Sequence, residues 1–421
     1  MSALPRGFAP RVVAYRATHD LIPLYSVYAL LFTDSGLSVA QVSSLFVIWS
    51  VTGFVLEVPS GAWADTIDRR RLLVLAAFVQ ALGYASWVVW PAYPGFALGF
   101  VLWGVAGSIQ SGTFESLVYD ELDAHGVAGR YARIIGWSHA TAMTANLVAS
   151  VSAAPLMRLG SYELVGWVSV TVCLLQLALA ATLPVTTAHP SQRRPHAAVE
   201  ETLEETARYL TMLRTGVHEA ARVPVVRRVV LIYAFVIGAS AYDEYFPLVA
   251  ADHGVAAATV PWLIGLVVLG QVVGTALAGR TAGMSARTMG LVLLGSAVLI
   301  SAGSLVDRPW AGFAGIAVGY GLLNNAMIVS EARLQDVITG PARATVTSSA
   351  GLATEVVALA VYLGFAATGG FASVPVQVAA LGVPLVLVAV LAARTFPRRP
   401  ALSSRLSTGS GNPGRTEGPA A

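Results

Sequence analysis

The chain has 421 residues, of which 56% are apolar and 12% are charged, and its formal net charge is +3. Soluble domains carry about 25% charged residues, so this composition excludes an ordinary soluble protein. Apart from histidine, every basic residue is an arginine. The arginines form no basic stripe with interleaved aromatic residues, so the net charge does not indicate nucleic-acid binding.

Twelve apolar segments, each about 20 residues long, predict twelve transmembrane helices, here called spans 1 to 12. Their predicted limits are 12–33, 42–64, 71–91, 94–119, 132–156, 162–183, 227–250, 258–280, 288–306, 310–336, 344–367 and 374–395. Short turns join most of them, which predicts that consecutive spans are antiparallel neighbours. Charged residues interrupt span 1 and no small-residue cleavage site follows it, so we expect a span there and not a signal peptide.

Arginines are concentrated on one side of the predicted bundle. That side carries the turn 69–71, the connector between spans 6 and 7, and the C-terminal tail, while the other side keeps Arg158 and Arg308. Because an excess of arginine and lysine marks cytoplasmic segments, we expect both termini in the cytoplasm. The arginine-rich, lysine-free composition is typical of a GC-rich bacterial genome, so we expect the bacterial plasma membrane.

The two sets of six spans are internal repeats. A shift of 218 positions aligns polar and turn residues: Asp34 with Asp252, Gly36 with Gly254, Gly61 with Gly279, Arg69 with Arg287 and Pro91 with Pro309. Parallel repeats of this kind are known in transporters, with the binding site between the halves. The predicted fold is an all-α membrane protein of two pseudo-symmetric six-helix bundles, at 1–184 and 227–396.

Two further segments complete the predicted organisation. The connector 185–226 contains a helical pattern at 200–222, which predicts either an amphipathic helix on the membrane face or a solvated linker helix. The tail 397–421 is rich in arginine, serine, glycine and proline, and we expect it to be disordered.

The turn between spans 2 and 3 reads Gly61-Ala-Trp-Ala-Asp65-Thr-Ile-Asp-Arg69-Arg70-Arg71. It resembles the motif Gly-x-x-x-Asp-x-x-x-Arg-Arg/Lys of the major facilitator superfamily, and a degenerate second copy follows span 8. The wider pattern that begins at Glu57-x-Pro-Ser-Gly61, with Ser111-Gly-Thr-Phe-Glu115 in span 4, resembles a bacterial branch described as exporters. The chain departs from the drug/proton antiporters, since it has Trp103 where many proton-coupled members carry an arginine, and span 5 lacks Gly-Pro-x-x-Gly-Gly.

The resemblance implies a role for this turn in gating. In the superfamily the aspartate faces the beginning of span 11, here near 344–347, where helix N–H groups attract a carboxylate. Gly61 would allow close helix contact, and the arginines would pair with acids below span 4, which together would hold the cytoplasmic side shut. The residues expected in this latch are Gly61, Asp65, Arg69, Arg70, Arg71, Glu115, Asp120 and Arg130. The alternative is that the arginines are topology signals alone.

Carboxylates within spans are candidates for proton coupling, because a charge in the bilayer is costly unless it has a function or a partner. The predicted candidates are Glu355, Asp20 and Glu57. Glu355 has no partner nearby in the sequence, whereas Arg16, four residues before Asp20, can neutralise Asp20. Glu57 can belong to the latch instead. His139 is a weaker candidate.

Spans 1, 4, 7 and 10 line the cavity in the fold that the resemblance implies. The substrate-cavity candidates are Tyr25, Tyr28, Trp103, Gln110, Tyr242, Asp243, Asn324 and Asn325. Asp243 and its neighbour Glu244 can carry a proton or line the outer mouth. Aromatic and amide side chains suit an amphipathic organic molecule.

No enzyme signature is present, and a chain without lysine cannot form a Gly-x-x-x-x-Gly-Lys phosphate loop. The single cysteine, Cys173, gives no disulfide and no metal pair, so we expect no cofactor and no metal. The predicted function is a monomeric secondary transporter in the lipid bilayer that exports a small amphipathic compound in exchange for protons. The alternatives are a metabolite importer or facilitator, and a receptor or scaffold on the same fold.

Overall fold

The computed structural model describes residues 4–5, 7–184, 222–338 and 343–397, apart from six side chains within helices. Those side chains belong to Val58, Ala62, Asp65, Thr66, Arg343 and Ala344. Throughout the described ranges every regular element is a helix, as the composition predicts. The predicted connector helix at 200–222 and the tail beyond 397 lie outside the described residues, except for Arg222.

Ten helices of the described chain are long and apolar enough to cross a membrane. Spans 2, 3, 8, 9, 10 and 11 are Val39–Thr66, Arg69–Val89, Val260–Thr281, Ala286–Leu305, Pro309–Val337 and Arg343–Thr368. Span 4 comprises Tyr93–Gln110 and Thr113–Ala124, and span 12 comprises Val374–Ala380 and Gly382–Thr395. A helix in lipid satisfies its own backbone groups, which explains why these apolar blocks adopt it.

Spans 5 and 6 form one helical element, Tyr131–Ala181, which follows the short 3-10 turn Ala128–Arg130. The element bends at Gly160 and Ser161, where Ser161 has a φ of 58°. The bend falls within the turn predicted between the two spans. Counting this element as two spans and adding the interrupted span 1, the structure is consistent with twelve predicted crossings.

Spans 1 and 7 are interrupted at equivalent positions. Span 1 is Phe8–Asp20, a 3-10 turn at Pro23–Ser26, and Tyr28–Asp34. Span 7 repeats this arrangement as Pro224–Ala239, a 3-10 segment at Ser240–Tyr245, and Phe246–Asp252. The last helices of both spans differ by 218 positions, the shift that aligns the two halves in the sequence.

The glycines that end spans 1 and 7 also correspond. Gly36 has a φ of 93° and Gly254 a φ of 73°, a backbone region that favours glycine because it has no Cβ. Both residues therefore turn the chain from one span into the next. We refer to spans 1–6 as the N-terminal half and to spans 7–12 as the C-terminal half.

Small residues bring neighbouring spans together. A Cβ added at Gly274 of span 8 would lie 2.0 Å from the carbonyl oxygen of Gly321 in span 10. Between the halves, span 2 packs against span 11, and the element that carries spans 5 and 6 packs against span 8. At the second of these interfaces, Gly265 of span 8 approaches the Val151 side chain. Close contact through small residues is a general way to associate helices in lipid.

Large apolar side chains on the outside of the bundle are exposed. Leu291 of span 9 is 68% exposed and Leu387 of span 12 is 66% exposed, as lipid-facing positions would be. Cys173, by contrast, is free and buried, where it packs as a small apolar residue. The apolar surface and the span lengths together indicate a multi-pass membrane protein.

Candidate functional site

A central cavity lies between the two halves and consists of two adjoining parts. One part has a volume of about 500 Å³ and extends between spans 2, 4, 7 and 11. The other has a volume of about 440 Å³ and extends between spans 1, 2, 4, 5, 7, 8 and 10. Both parts are lined by Trp49, Gly107, Asp243 and Glu244. These four residues therefore mark the junction, and the two parts are treated as one cavity.

The interrupted span 7 places two carboxylates at this junction. Asp243 and Glu244 belong to the 3-10 segment Ser240–Tyr245, where the tighter turn replaces the α-helix. The Tyr320 hydroxyl of span 10 donates a hydrogen bond to Asp243. The Tyr28 hydroxyl of span 1 donates one to Glu244, so the second contact joins the two halves. Asp243 was predicted in the cavity, and for both acids a role in proton coupling and a position at the outer mouth were the alternatives.

A second carboxylate also bonds across the halves. The Ser50 hydroxyl of span 2 donates a hydrogen bond of 2.7 Å to Glu355 of span 11. Both residues line the cavity. The sequence shows no local partner for Glu355 because the partner belongs to the other half of the molecule.

The cavity is closed on one side. We call the side on which span 1 begins and span 12 ends the terminal side, and the other the opposite side. Towards the opposite side the hydroxyls of Ser43 and Tyr245 share a hydrogen bond of 2.7 Å between spans 2 and 7. The Tyr245 ring in turn stacks on Phe365 with 3.6 Å between centroids. The hydrogen bonds between Ser43 and Tyr245 and between Tyr28 and Glu244 hold the halves together at this end.

The cavity extends towards the terminal side. Glu57 of span 2 lines it and is exposed. Gly61, one helical turn nearer the terminal side, is also exposed, and nothing lies within 4 Å of where its Cβ would be. Among the described residues no close helix contact forms at Gly61, and the contact expected there in the latched state stays a prediction. Among the described residues, the cavity is closed towards the opposite side and reaches exposed residues towards the terminal side.

Aromatic side chains of the N-terminal half form one wall of the cavity. The Trp103 ring stacks on Tyr25 at 5.3 Å and on Trp49 at 5.0 Å between centroids. Tyr28 meets Trp103 edge to face. All four rings line the second part of the cavity, and three of them, all but Trp49, were predicted there.

Asp20 ends the first helix of span 1 and lines the same part of the cavity. The Arg16 guanidinium lies 3.9 Å from its carboxylate, and the His19 ring lies 3.4 Å from it. Arg16 therefore lies where it can neutralise Asp20, which the sequence indicated as the alternative to a role of Asp20 in proton coupling.

Four predicted cavity residues do not line the central cavity. Gln110 donates a hydrogen bond to the Tyr15 hydroxyl instead, inside the N-terminal half. Tyr242 is buried, and its ring packs edge to face against Phe246 and Tyr320, which line the cavity in its place. The other two, Asn324 and Asn325, belong to span 10.

Both asparagines bond to helix backbone. Asn324 donates to the Tyr320 carbonyl of its own helix, and Asn325 donates to the Gly274 carbonyl of span 8. The Asn325 amide thus joins spans 8 and 10, whereas the Asn324 amide bonds within span 10, and neither residue is among those that line the central cavity. His139 of span 5 is exposed and lies away from the cavity lining as well.

The turn between spans 2 and 3 contains one ion pair among the described side chains of the predicted latch. The Arg69 guanidinium donates to the Asp120 carboxylate at the end of span 4. Both residues belong to the N-terminal half, so this pair does not itself hold the halves together. Asp68 accepts from the Arg71 backbone N–H at 2.9 Å and so caps span 3.

The remaining latch candidates are spread around this pair. Glu115 stands in the first turn of the second helix of span 4 and is half-buried. Arg70 is half-buried, whereas Arg71 and Arg130 are exposed. The Asp65 side chain, on which a contact with span 11 depends, lies outside the described side chains.

Among the cavity residues that were not predicted are Trp49, Ser50 and Tyr320. Trp49 and Ser50 precede Glu57 by eight and seven positions, which puts them on its helix face two turns away. That spacing is a signal available in the sequence. Tyr320 gives no comparable signal, because its role follows from a contact with span 7.

Several solved transporter structures resemble the chain in fold. A D-xylose–proton symporter is 16% identical, with a TM-score of 0.65 over 93% of this chain and 97% of that one. A bacterial homologue of the human lysosomal transporter Spinster, in an inward-facing and unoccupied conformation, is 16% identical, with a TM-score of 0.67 over 92% of this chain and 96% of that one. A nucleoside transporter is 11% identical, with a TM-score of 0.67 over 92% and 98%. No curated protein matches the sequence.

The family model of the Major Facilitator Superfamily matches residues 20–353, which is most of the chain. The match begins in span 1 and ends in span 11, so it includes both halves and the cavity between them. Its members are transporters and not enzymes. The repeated six-span halves, the central cavity and this match together show that the chain belongs to the Major Facilitator Superfamily.

Proposed function

We propose that the chain is a proton-coupled secondary transporter that exports a small amphipathic organic compound by alternating access. The observation that carries this proposal is the pair of carboxylates, Glu244 and Glu355, that accept hydrogen bonds across the two halves. Contacts between the halves must be made in one state and broken in another if the halves rock about a central site.

Protonation would change the strength of these two contacts. An ionised carboxylate accepts a charge-assisted hydrogen bond, which is roughly twice as strong as a neutral one. A proton on Glu244 or Glu355 removes that advantage and favours the state in which the halves separate there. Proton binding and conformation are then linked, which is what coupling to a proton gradient requires.

The cavity suits a small organic substrate. Its two parts of about 500 and 440 Å³ fall within the range of ligand pockets, and aromatic rings supply most of one wall. The cavity lies within one chain, so we propose a monomer as the transporting unit. We propose export because the motif around Glu57 and Gly61 resembles a branch described as exporters.

The distribution of arginine supports the proposed orientation. The terminal side carries the arginines of the turn 69–71, so we assign it to the cytoplasm and place the protein in the plasma membrane. The cavity then reaches exposed residues towards the cytoplasm. We propose that a latch at this side forms between Asp65 and the beginning of span 11 when the cavity opens outward.

Proteoliposomes loaded with a pH-sensitive dye test this function. A panel of small amphipathic compounds is added to vesicles that contain the wild-type protein, the variant Glu355→Gln or the control variant Asp307→Asn. Asp307 is an exposed acid outside the cavity. We expect at least one compound to move protons with the wild type and Asp307→Asn, and not with Glu355→Gln. Compound flux without proton movement would contradict coupling. A compound that moves with protons, rather than against them, would indicate an importer.

A further inference from the structure

We infer that the central cavity takes an amphipathic organic cation, such as a quaternary ammonium or phosphonium compound with apolar groups. This inference rests on the proposed transport function and adds the charge of the substrate to it. Two features of the cavity lining carry it: an excess of carboxylates, and a wall of stacked aromatic rings.

The acidic side chains of the cavity outnumber its basic ones. The carboxylates that line its two parts are Asp20, Glu57, Asp243, Glu244 and Glu355. Among the described residues of the lining, His19 is the one basic side chain, and it stands beside Asp20. Arg16 also pairs with Asp20, at 3.9 Å. The other four carboxylates have no cationic side chain in the described lining to balance them.

The hydrogen bonds of these acids do not replace a counter-charge. Asp243, Glu244 and Glu355 each accept from a neutral hydroxyl, those of Tyr320, Tyr28 and Ser50 respectively. A hydroxyl lowers the cost of burying a carboxylate but leaves its charge uncompensated. A bound cation would compensate it, whereas an anion would be repelled.

The aromatic wall provides the second requirement. The stack formed by Tyr25, Trp103 and Trp49 belongs to the N-terminal half, whereas Asp243 and Glu244 belong to the C-terminal half. A cation in the cavity would therefore be bound by aromatic rings of one half and by carboxylates of the other. Aromatic rings attract cations through their quadrupole, with tryptophan the most effective, and they also contact the apolar groups of the ligand.

The arrangement selects charge as well as size. A neutral compound of the same shape would fill the aromatic side but leave the carboxylates without a counter-ion, and burying such groups unpaired is costly. Discrimination between a cation and its isosteric anion therefore follows from repulsion as much as from attraction. Because the two walls come from different halves, closing around the ligand would also bring the halves together.

The test is equilibrium binding to the purified full-length protein in detergent, which requires no transport. The probe is radiolabelled tetraphenylphosphonium, and the competitor is tetraphenylborate, which has the same shape and the opposite charge. We expect saturable binding of the phosphonium that the borate does not displace. Saturable binding that the borate displaces as well as unlabelled phosphonium does, or no saturable binding, would overturn the inference.

Variants assign the binding to the two walls. Asp243→Asn with Glu244→Gln should weaken binding at least about tenfold, and Trp103→Ala should weaken it more than Trp103→Phe does. Asp307→Asn serves as the matched acid-to-amide control outside the cavity and should bind as the wild type does. If the double variant does not fold, Asp243→Asn alone and the Trp103 pair give the same comparison. Unchanged affinity in the folded variants would overturn the inference.

A transport measurement with the same protein separates the two proposals. If the protein exchanges a neutral or anionic compound for protons and does not bind the phosphonium, the cation inference fails and the transport function stands. If it binds the phosphonium as predicted but moves neither it nor protons in proteoliposomes, the cation site stands and the proposed function fails.

Discussion

Ser50 of span 2 donates a hydrogen bond of 2.7 Å to Glu355 of span 11, and this contact joins the two halves of the molecule inside the central cavity. Glu355→Gln keeps an acceptor oxygen at this position but cannot take up a proton as the acid does. We expect the variant to bind substrate and to lose the dependence of flux on a pH gradient, measured in proteoliposomes. Full dependence in Glu355→Gln would show that the coupling proton is carried elsewhere.

Tyr28→Phe should loosen the closed side of the cavity, because the phenylalanine cannot donate to Glu244. The reporter is a cysteine at Ile264, a cavity residue near the opposite side, in a Cys173→Ser background. A hydrogen bond to a charged group contributes about 1.5–3 kcal/mol, so labelling from that side by an impermeant maleimide should accelerate on the order of tenfold.

Tyr93→Phe is the matched control for this measurement. Its hydroxyl shares a hydrogen bond of 2.9 Å with Ser44 within the N-terminal half, so its loss should not separate the halves. Equal labelling rates in Tyr28→Phe and Tyr93→Phe would contradict the assignment of Tyr28 to the closure.

The pair formed by Arg69 and Asp120 should act on the stability of the N-terminal half. Arg69 is 14% exposed and Asp120 is 39% exposed, so the pair is partly screened and contributes about 1 kcal/mol or less. Arg69→Glu and Asp120→Arg should each lower the unfolding temperature slightly, and the double exchange should restore it. Asp123→Arg, an exposed position on the same helix, is the control. Additive losses in the double variant would show that the two charges do not interact.

Gly274→Val should destabilise the packing of spans 8 and 10. The added Cβ would lie 2.0 Å from the Gly321 carbonyl oxygen, so the helices must move apart, at a cost of about 1–3 kcal/mol. Gly364→Val in span 11 has the same intrinsic effect on helix formation but nothing within 4 Å of its Cβ. Thermal unfolding in detergent should separate the two variants by several degrees, and equal unfolding temperatures would contradict the close approach of spans 8 and 10.

The sequence predicts the fold well because lipid imposes a strong length requirement on apolar helices. The helix Val260–Thr281, for example, lies within two residues of the limits predicted for span 8. The repeat is also readable, since Gly36 and Gly254 share a left-handed backbone conformation at equivalent turns. The interruptions of spans 1 and 7 were not predicted, because the 3-10 segments Pro23–Ser26 and Ser240–Tyr245 lie inside apolar blocks that are long enough to cross the membrane as single helices.

The site is less predictable, since most of its contacts join distant positions. Glu355 was preferred because it lacks a local partner, and its partner Ser50 is 305 residues away. Asn325 has a composition that suits a cavity, yet its amide bonds to span 8 because it faces the other side of span 10. Periodicity places residues on a helix face, but it does not say which neighbouring helix that face meets.

The central claim is that protonation of the carboxylates that bond across the halves opens the opposite side of the cavity. Glu163 and Asp307 are exposed residues at the ends of spans 6 and 10 that lie on the opposite side of the molecule. Spin labels at these two positions, in a Cys173→Ser background, would report the distance between the halves. We expect the distance distribution to shift to longer values as the pH falls, and the double variant Glu244→Gln with Glu355→Gln to show no such shift. A pH response that is unchanged in that variant, or no response in the parent protein, would contradict the claim.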